Sequence, residues 1–117
     1  MTRDCLFCRI VAGEIPADVV HRDDLVVAFR DVAPQAPVHI LLVPRDHLDS
    51  IADLSLTAEH DRLWSHLLHV VQDLAARDGI AESGYRLLTN VGLAGGQTVA
   101  HLHLHLLGGR QMTWPPG

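Results

Sequence analysis

A single α+β domain, built on a five-stranded and mainly antiparallel sheet with one long and one short helix, is the fold that this sequence predicts. Three observations lead there. Five β-prone runs are spread along the chain, the early ones joined by links of hairpin length. One central stretch carries an apolar stripe at helical period. The 117 residues, 48% hydrophobic and 20% charged, supply one core and leave no room for a second, so residues 1–117 are read as one domain.

Between residues 5 and 13, Leu6, Phe7, Ile10 and Val11 recur at helical spacing, and Gly13 ends the short helix they predict. Pro16 restarts the chain. Val19-Val20-His21 and Leu25-Val26-Val27-Ala28-Phe29 are β-prone and flank Arg22-Asp23-Asp24, so the two runs are expected to pair as an antiparallel hairpin. Pro34-Gln35-Ala36-Pro37 is a loop. Val38-His39-Ile40-Leu41-Leu42-Val43 then runs almost unbroken in apolar residues up to Pro44, as a strand central to its sheet does. Thr57 is the expected N-cap of the long helix, in which Leu63, Leu67, Val70 and Leu74 form the stripe and Trp64, Leu68 and Val71 widen it. Gly79 closes that helix. Tyr85-Arg86-Leu87-Leu88-Thr89-Asn90 reads as a strand, residues 92–96 as a turn, and residues 101–107 as the last strand.

Composition removes several classes of function. No apolar run approaches the ~20 residues that span a bilayer, and the start resembles no signal peptide, so a cytoplasmic protein without a membrane partner is expected. The net charge of -5 offers no basic field for nucleic acid. All nine basic residues are Arg, which excludes a phosphate-binding loop lysine and Schiff-base chemistry. The nine His are the compositional outlier.

Three of them stand in His101-Leu102-His103-Leu104-His105-Leu106-Leu107, a strict alternation that in a strand puts the imidazoles on one face and the leucines on the other. Successive imidazoles on that face lie about 6.7 Å apart, close enough for two of them to address one phosphate or one metal ion. The plain alternative is a solvated strand face that happens to use His. Just upstream, Gly95-Gly96-Gln97-Thr98 has glycines that turn backbone N–H groups toward an anion and side chains that add donors.

Residues 101–107 reproduce the His-x-His-x-His-x-x pattern, apolar at each x, of the histidine triad (HIT) family. The resemblance runs along nearly the whole chain. Cys5-Leu6-Phe7-Cys8-Arg9-Ile10, Gly13-Glu14-Ile15-Pro16-Ala17, residues 31–37 and Gly95-Gly96-Gln97-Thr98 resemble segments of its Hint branch, and residues 107–117 are the most branch-specific match. The resemblance implies a HIT-like fold and a purine nucleotide substrate cut at its α-phosphate, with His103 as nucleophile and His105 contacting the phosphate and helping to protonate the leaving group. It further implies that Asp31 and Val32 line the ribose and base, that Asn90 lies near the ribose-phosphate, that Gly96, Gln97 and Thr98 cradle the phosphate, and that His39 supports the catalytic strand. Two positions depart from the branch: Thr98 replaces a usual Ser, and Ala100 a common larger aromatic. Since Thr98 keeps the hydroxyl, altered rate or leaving-group preference is expected. The resemblance also implies a homodimer formed by sheet extension, with the tail around Trp114 near the partner's site.

Cys5-x-x-Cys8 is half of a zinc site. A redox pair of the thioredoxin kind normally follows a strand, and this one precedes them all. His47 and His101 resemble the zinc histidines of zinc-carrying HIT proteins, which implies a structural zinc on Cys5, Cys8, His47 and His101 and no catalytic metal or organic cofactor. Two small thiols packed in a short helix are the alternative. The leading expectation is a phosphoramidase-like nucleotidyl hydrolase, or an aminoacyl-adenylate one, working through a nucleotidyl-His103 intermediate. Its rivals are a dinucleoside polyphosphate hydrolase, a zinc hydrolase with the metal on His101, His103 and His105, and a nucleotide-binding module without catalysis.

Overall fold

Capping, apolar period and glycine stops place each element close to where the sequence puts it. The computed structural model describes residues 4–117, with α1 (Leu6–Val11), β1 (Val19–Arg22), β2 (Val26–Arg30), β3 (Val38–Pro44), α2 (Ala58–Arg77), β4 (Tyr85–Leu88) and β5 (Leu104–Gly108) in chain order. The Cys5 thiol sulfur accepts the Cys8 amide and caps α1, which stops before Gly13 at φ +78°. The Thr57 hydroxyl accepts the His60 amide and starts α2. A 3-10 turn at Ile51–Asp53, capped by Ser50, precedes it and had no signal in the apolar pattern.

The strands form one sheet in the order β1-β2-β3-β5-β4, every neighbouring pair antiparallel. The continuous apolar run of β3 is central, as expected, and is buried over six of its seven residues. Alternation divides the core between the two faces of the sheet. Val26, Ala28, Ile40, Leu42, Leu104 and Leu106 face α2 and meet its stripe of Leu63, Leu67, Val70, Val71 and Leu74. Val27, Phe29, Leu41 and Val43 face the other way and are covered by Phe7, Cys8, Ile10 and Val11 of α1. The α+β architecture is thus the expected one, while several strand boundaries differ, three of them at the expense of the expected strand. Leu25 stays outside β2, β4 ends at Leu88 rather than Asn90, and β5 begins at Leu104 rather than His101. At the last shift, Leu42 pairs with Leu104 and the ladder stops there, although β3 runs on to Pro44. Among the described residues, no helix is long and apolar enough to cross a membrane.

Candidate active site and Cys/His cluster

Although they lie outside the ladder, residues 101–103 are held by specific bonds. The Leu102 amide donates to Leu48 O at 2.6 Å and the Thr89 hydroxyl to His103 O at 2.8 Å. The imidazoles therefore keep the orientation that alternation assigns them, but their face is not solvated. His101 is 0% exposed and His103 4%, because α1 covers them and Phe7 packs edge-on to His103 at 4.9 Å between ring centroids.

Hydrogen bonds to groups of fixed polarity settle where the protons sit. His101 O can only accept, so His103 Nδ1, 2.7 Å away, carries the hydrogen and Nε2 keeps its lone pair. The Gln35 amide can only donate, and it points at His39 Nδ1 at 3.0 Å. The hydrogen of neutral His39 is thereby placed on Nε2, which lies 2.9 Å from His105 Nδ1 and 3.4 Å from Asp31 Oδ2. His105 Nδ1 accepts from it, so the hydrogen of His105 is on Nε2. Among the described residues, His105 Nε2 is the one buried side-chain polar atom without a partner. Burial pushes His105 down to about 4, helped by repulsion from His103 and His39 and opposed by Asp31. His39 is lowered by burial too, again against Asp31. Both rings are uncharged near neutral pH, and His105 presents a ready N–H donor rather than a cation.

His103 and His105 line a cleft of about 330 Å³ between α1, β2 and residues 98–99. The volume lies within the range of small-molecule sites. Asp31 and Val32 form part of its lining, Val32 with its side chain fully exposed, and Thr98 lines it from the loop. His39 is buried behind His105. Asn90 is half-buried beyond β4 and does not line the cleft. Gly96 takes φ +78° in its turn. The Gln97 side chain is turned into its own loop. Its carbonyl accepts the Gly92 amide, and its NH₂ donates to Asp49 O at 2.6 Å and Val99 O at 2.9 Å. With both amide hydrogens so engaged, Gln97 braces the loop. The apolar floor of Phe7, Ile10, Phe29 and Leu41 carries no signal of its own, because core residues and ligand-facing ones look alike in a sequence.

His101 belongs to a different group. Its Nδ1 lies 3.3 Å from Cys5 Sγ and 3.5 Å from Cys8 Sγ, and His47 Nδ1 lies 3.2 Å from Cys8 Sγ. In a tetrahedral zinc site the S···N edge is about 3.5 Å, given Zn–S of about 2.3 Å and Zn–N of about 2.0 Å, so these four residues fit the ion. Their outer nitrogens are held as well, His101 Nε2 on Pro44 O and His47 Nε2 on Asp49 Oδ1, each at 2.9 Å. Such bonds turn the ligating Nδ1 inward without a hydrogen. Burial lowers His101 to about 4, favouring the neutral form that binds metals. The two thiols form no disulfide. Since His101 turns to the cysteines, the three strand histidines do not converge on one centre, and a zinc hydrolase built on all three loses its geometry. A more open depression of about 530 Å³ lies over this cluster and shares Thr98 and Val99 with the cleft.

Comparison with known proteins agrees with this layout. The chain is 46% identical over 112 residues to the purine nucleoside phosphoramidase of Escherichia coli K12, covering 96% of this chain and 92% of that protein. It is 47% identical over 113 residues to a 14 kDa zinc-binding protein of Zea mays, covering 96% and 87%. A HIT family hydrolase from Legionella pneumophila matches the structure with a TM-score of 0.92 at 52% identity, covering 97% of this chain and 100% of that one. The HIT domain itself matches over residues 12–112, which include the cleft histidines and the whole sheet. By sequence and by structure, this chain belongs to the HIT domain family.

Proposed function

We propose that the protein is a nucleotidyl hydrolase that cleaves purine nucleoside phosphoramidates or aminoacyl adenylates at the α-phosphate through a covalent nucleotidyl-His103 intermediate. The observation that carries this reading is the matched polarity of two imidazoles on one cleft: a lone pair at His103 Nε2 and an N–H at His105 Nε2. The likeness to the Escherichia coli phosphoramidase supports the substrate class.

In the first step His103 Nε2 attacks the α-phosphorus, and the bond to the leaving nitrogen or acyl oxygen breaks with its electron pair going to the leaving group. A carboxylate departs as it is; an amine takes up one proton from solvent through the open cleft. His105 Nε2–H donates to the phosphoryl or leaving atom as charge builds there, and the Thr98 hydroxyl adds a second donor. His103 Nδ1–H stays on His101 O, which steadies the charge on the substituted ring. In the second step water attacks phosphorus, the P–Nε2 bond returns its electron pair to His103, and the water gives up its proton as nucleoside monophosphate leaves. Asp31 accepts from the ribose hydroxyls and Val32 lies along the base.

A structural zinc on Cys5, Cys8, His47 and His101 belongs to the same reading; four protein ligands leave no position for substrate. So does a cytoplasmic setting, where such thiols stay reduced. A two-fold dimer completes it, because Trp114 is 83% exposed in the single chain and needs a surface. Sedimentation at micromolar concentration tests the dimer, and a monomer there removes it. The activity is tested with an adenosine phosphoramidate, an aminoacyl adenylate and a dinucleoside tetraphosphate, with mass spectrometry of the quenched enzyme. Preferred turnover of the first two with an AMP adduct on His103 is expected. Faster turnover of the tetraphosphate, or no adduct under rapid quench, overturns it.

A further inference from the structure

A second cluster of donors lies away from both sites, where the β1–β2 turn meets α2. Asp23 Oδ2 is 2.5 Å from His21 Nε2 and 2.6 Å from His66 Nε2. The other carboxylate oxygen, Oδ1, accepts the amides of Leu25 at 2.8 Å and Val26 at 2.9 Å, so the turn itself fixes the direction of Oδ2. Burial works against the ionised carboxyl, yet the two imidazoles and the two amides outweigh it and hold Asp23 well below the usual carboxylate range. All three side chains remain partly exposed. Arg45 reaches only the main-chain carbonyl of Asp23.

We propose that His21, Asp23 and His66 form a further metal site, selective for a divalent ion of the nickel or copper kind over zinc. One oxygen and two imidazole nitrogens are a donor set for late first-row ions, whose affinities rise toward copper. Geometry supplies the selectivity. Ligands about 2.0 Å from an ion and 90° apart lie about 2.8 Å from each other, so the present N···O spacings need to open by only a few tenths of an ångström, whereas tetrahedral ligands lie about 3.3 Å apart. Neither His21 Nδ1 nor His66 Nδ1 has a hydrogen-bond partner among the described residues, and neither is a buried unsatisfied atom. Each ring can therefore shift its hydrogen to Nδ1, open its Nε2 lone pair to the ion and lose no other bond. Binding then releases no net proton at a pH where the rings are neutral, unlike binding to thiols, and water completes the coordination on the exposed side.

The test is calorimetric titration with Ni²⁺, at about pH 8 in two buffers of different ionisation heat, on tag-free protein first saturated with zinc and desalted so that the Cys5–Cys8–His47–His101 cluster is closed to nickel. One Ni²⁺ per chain with a Kd below ~10 μM and no proton release is expected. His21→Gln and His66→Gln should each weaken binding at least about tenfold, and His69→Gln, on the exposed side of α2, should leave it unchanged. Because His66→Gln removes a bond between the turn and α2, paramagnetic broadening of wild-type NMR signals supplies the second readout, centred on residues 21, 23 and 66. Weaker binding than that limit, full affinity in both variants, or broadening centred elsewhere overturns the proposal.

Discussion

His39 Nε2 and His105 Nδ1, on neighbouring strands β3 and β5, meet across 2.9 Å with the single shared hydrogen assigned to His39. They are diagonal neighbours, since His39 pairs with Leu107 and His105 with Leu41. The assignment starts at a main-chain amide, Gln35 N–H, which no change of pH alters. A second proton on either ring would set two donors facing each other, so the pair resists charging for a structural reason as well as through burial.

That resistance appears as a pH dependence of stability. An unfolded histidine takes up its proton near pH ~6.5, but folded His105 does so only at about 4. Between those values the unfolded chain binds more protons, so the contribution of His105 is complete above the upper value and is lost as pH falls toward the lower one. Melting temperatures of wild type and His105→Asn between pH 8 and 4 check this. Wild type is expected to lose more than the variant on acidification, and parallel curves would contradict the neutral pair.

Removing the proposed nucleophile separates chemistry from binding. His103→Ala should lower turnover of a phosphoramidate by about 10³-fold or more while nucleoside monophosphate binds within a few-fold of wild type. His39→Asn acts one step removed, through the tautomer of His105, so kcat should fall by about 10²-fold with KM little changed. If both variants turn over at the wild-type rate, the polarity argument fails.

The Gln97 side chain ties together the main chain at Gly92, Asp49 and Val99. Its replacement by Ala loosens the loop that carries Thr98 into the cleft. Exposed hydrogen bonds of this kind are each worth about 1 kcal/mol at most, so the melting temperature should drop by only a few degrees. KM should rise several-fold, and steady-state kinetics beside a melting curve distinguish a loop brace from a residue with no part in binding.

Gly108, at the end of β5, has no space for a methyl group. A Cβ there would come within 2.6 Å of Ile80 Cδ1 and 3.0 Å of its Cβ. Gly108→Ala should therefore cost about 1–3 kcal/mol in denaturant unfolding, as overpacking does. Adding Ile80→Val deletes the Cδ1 and should recover part of the loss; a double variant no more stable than Gly108→Ala would assign the cost to the backbone instead.

Zinc removal should lower stability and spare the chemistry, because the proposed ligands leave no open position. Chelated protein is expected to melt several degrees lower, with the folded fraction retaining its specific activity. Replacement by Co²⁺ should produce intense thiolate-to-metal absorption that Cys5→Ser weakens. An unchanged melting temperature in Cys5→Ser would support two packed thiols without an ion.

Local pattern carried most of this fold, for reasons visible in particular residues. The stripe of Leu63, Leu67, Val70 and Leu74 and the unbroken run of β3 report burial directly, so α2 and the central strand stood where the apolar residues placed them. The start of β5 was not legible, since the alternation continues through residues 101–103 while the ladder with β3 stops at Leu42 and Leu104. Nor could alternation alone tell that the imidazole face would be covered, which needed the position of α1. Gln97 has the right chemistry for a phosphate and spends it on the loop, a choice made by distance rather than composition. The bond from Gln35 to His39 involves a main-chain amide and leaves no trace in residue identity. The bond between His66 and Asp23 leaves no local pattern either, because it exists only where the β1–β2 turn folds back onto α2.

The Cys/His cluster also has a topological consequence. Cys5 and His101 are 96 positions apart, so an ion held between them closes nearly the whole polypeptide into a ring. A cross-link around a ring of that size removes about 4–5 kcal/mol of unfolded-chain entropy in the simple chain model. The cluster sits where β3 and β5 pair, because His47 follows the first and His101 leads into the second. Without an ion there, amide exchange in α1 should quicken, and the histidine face would be uncovered from that end.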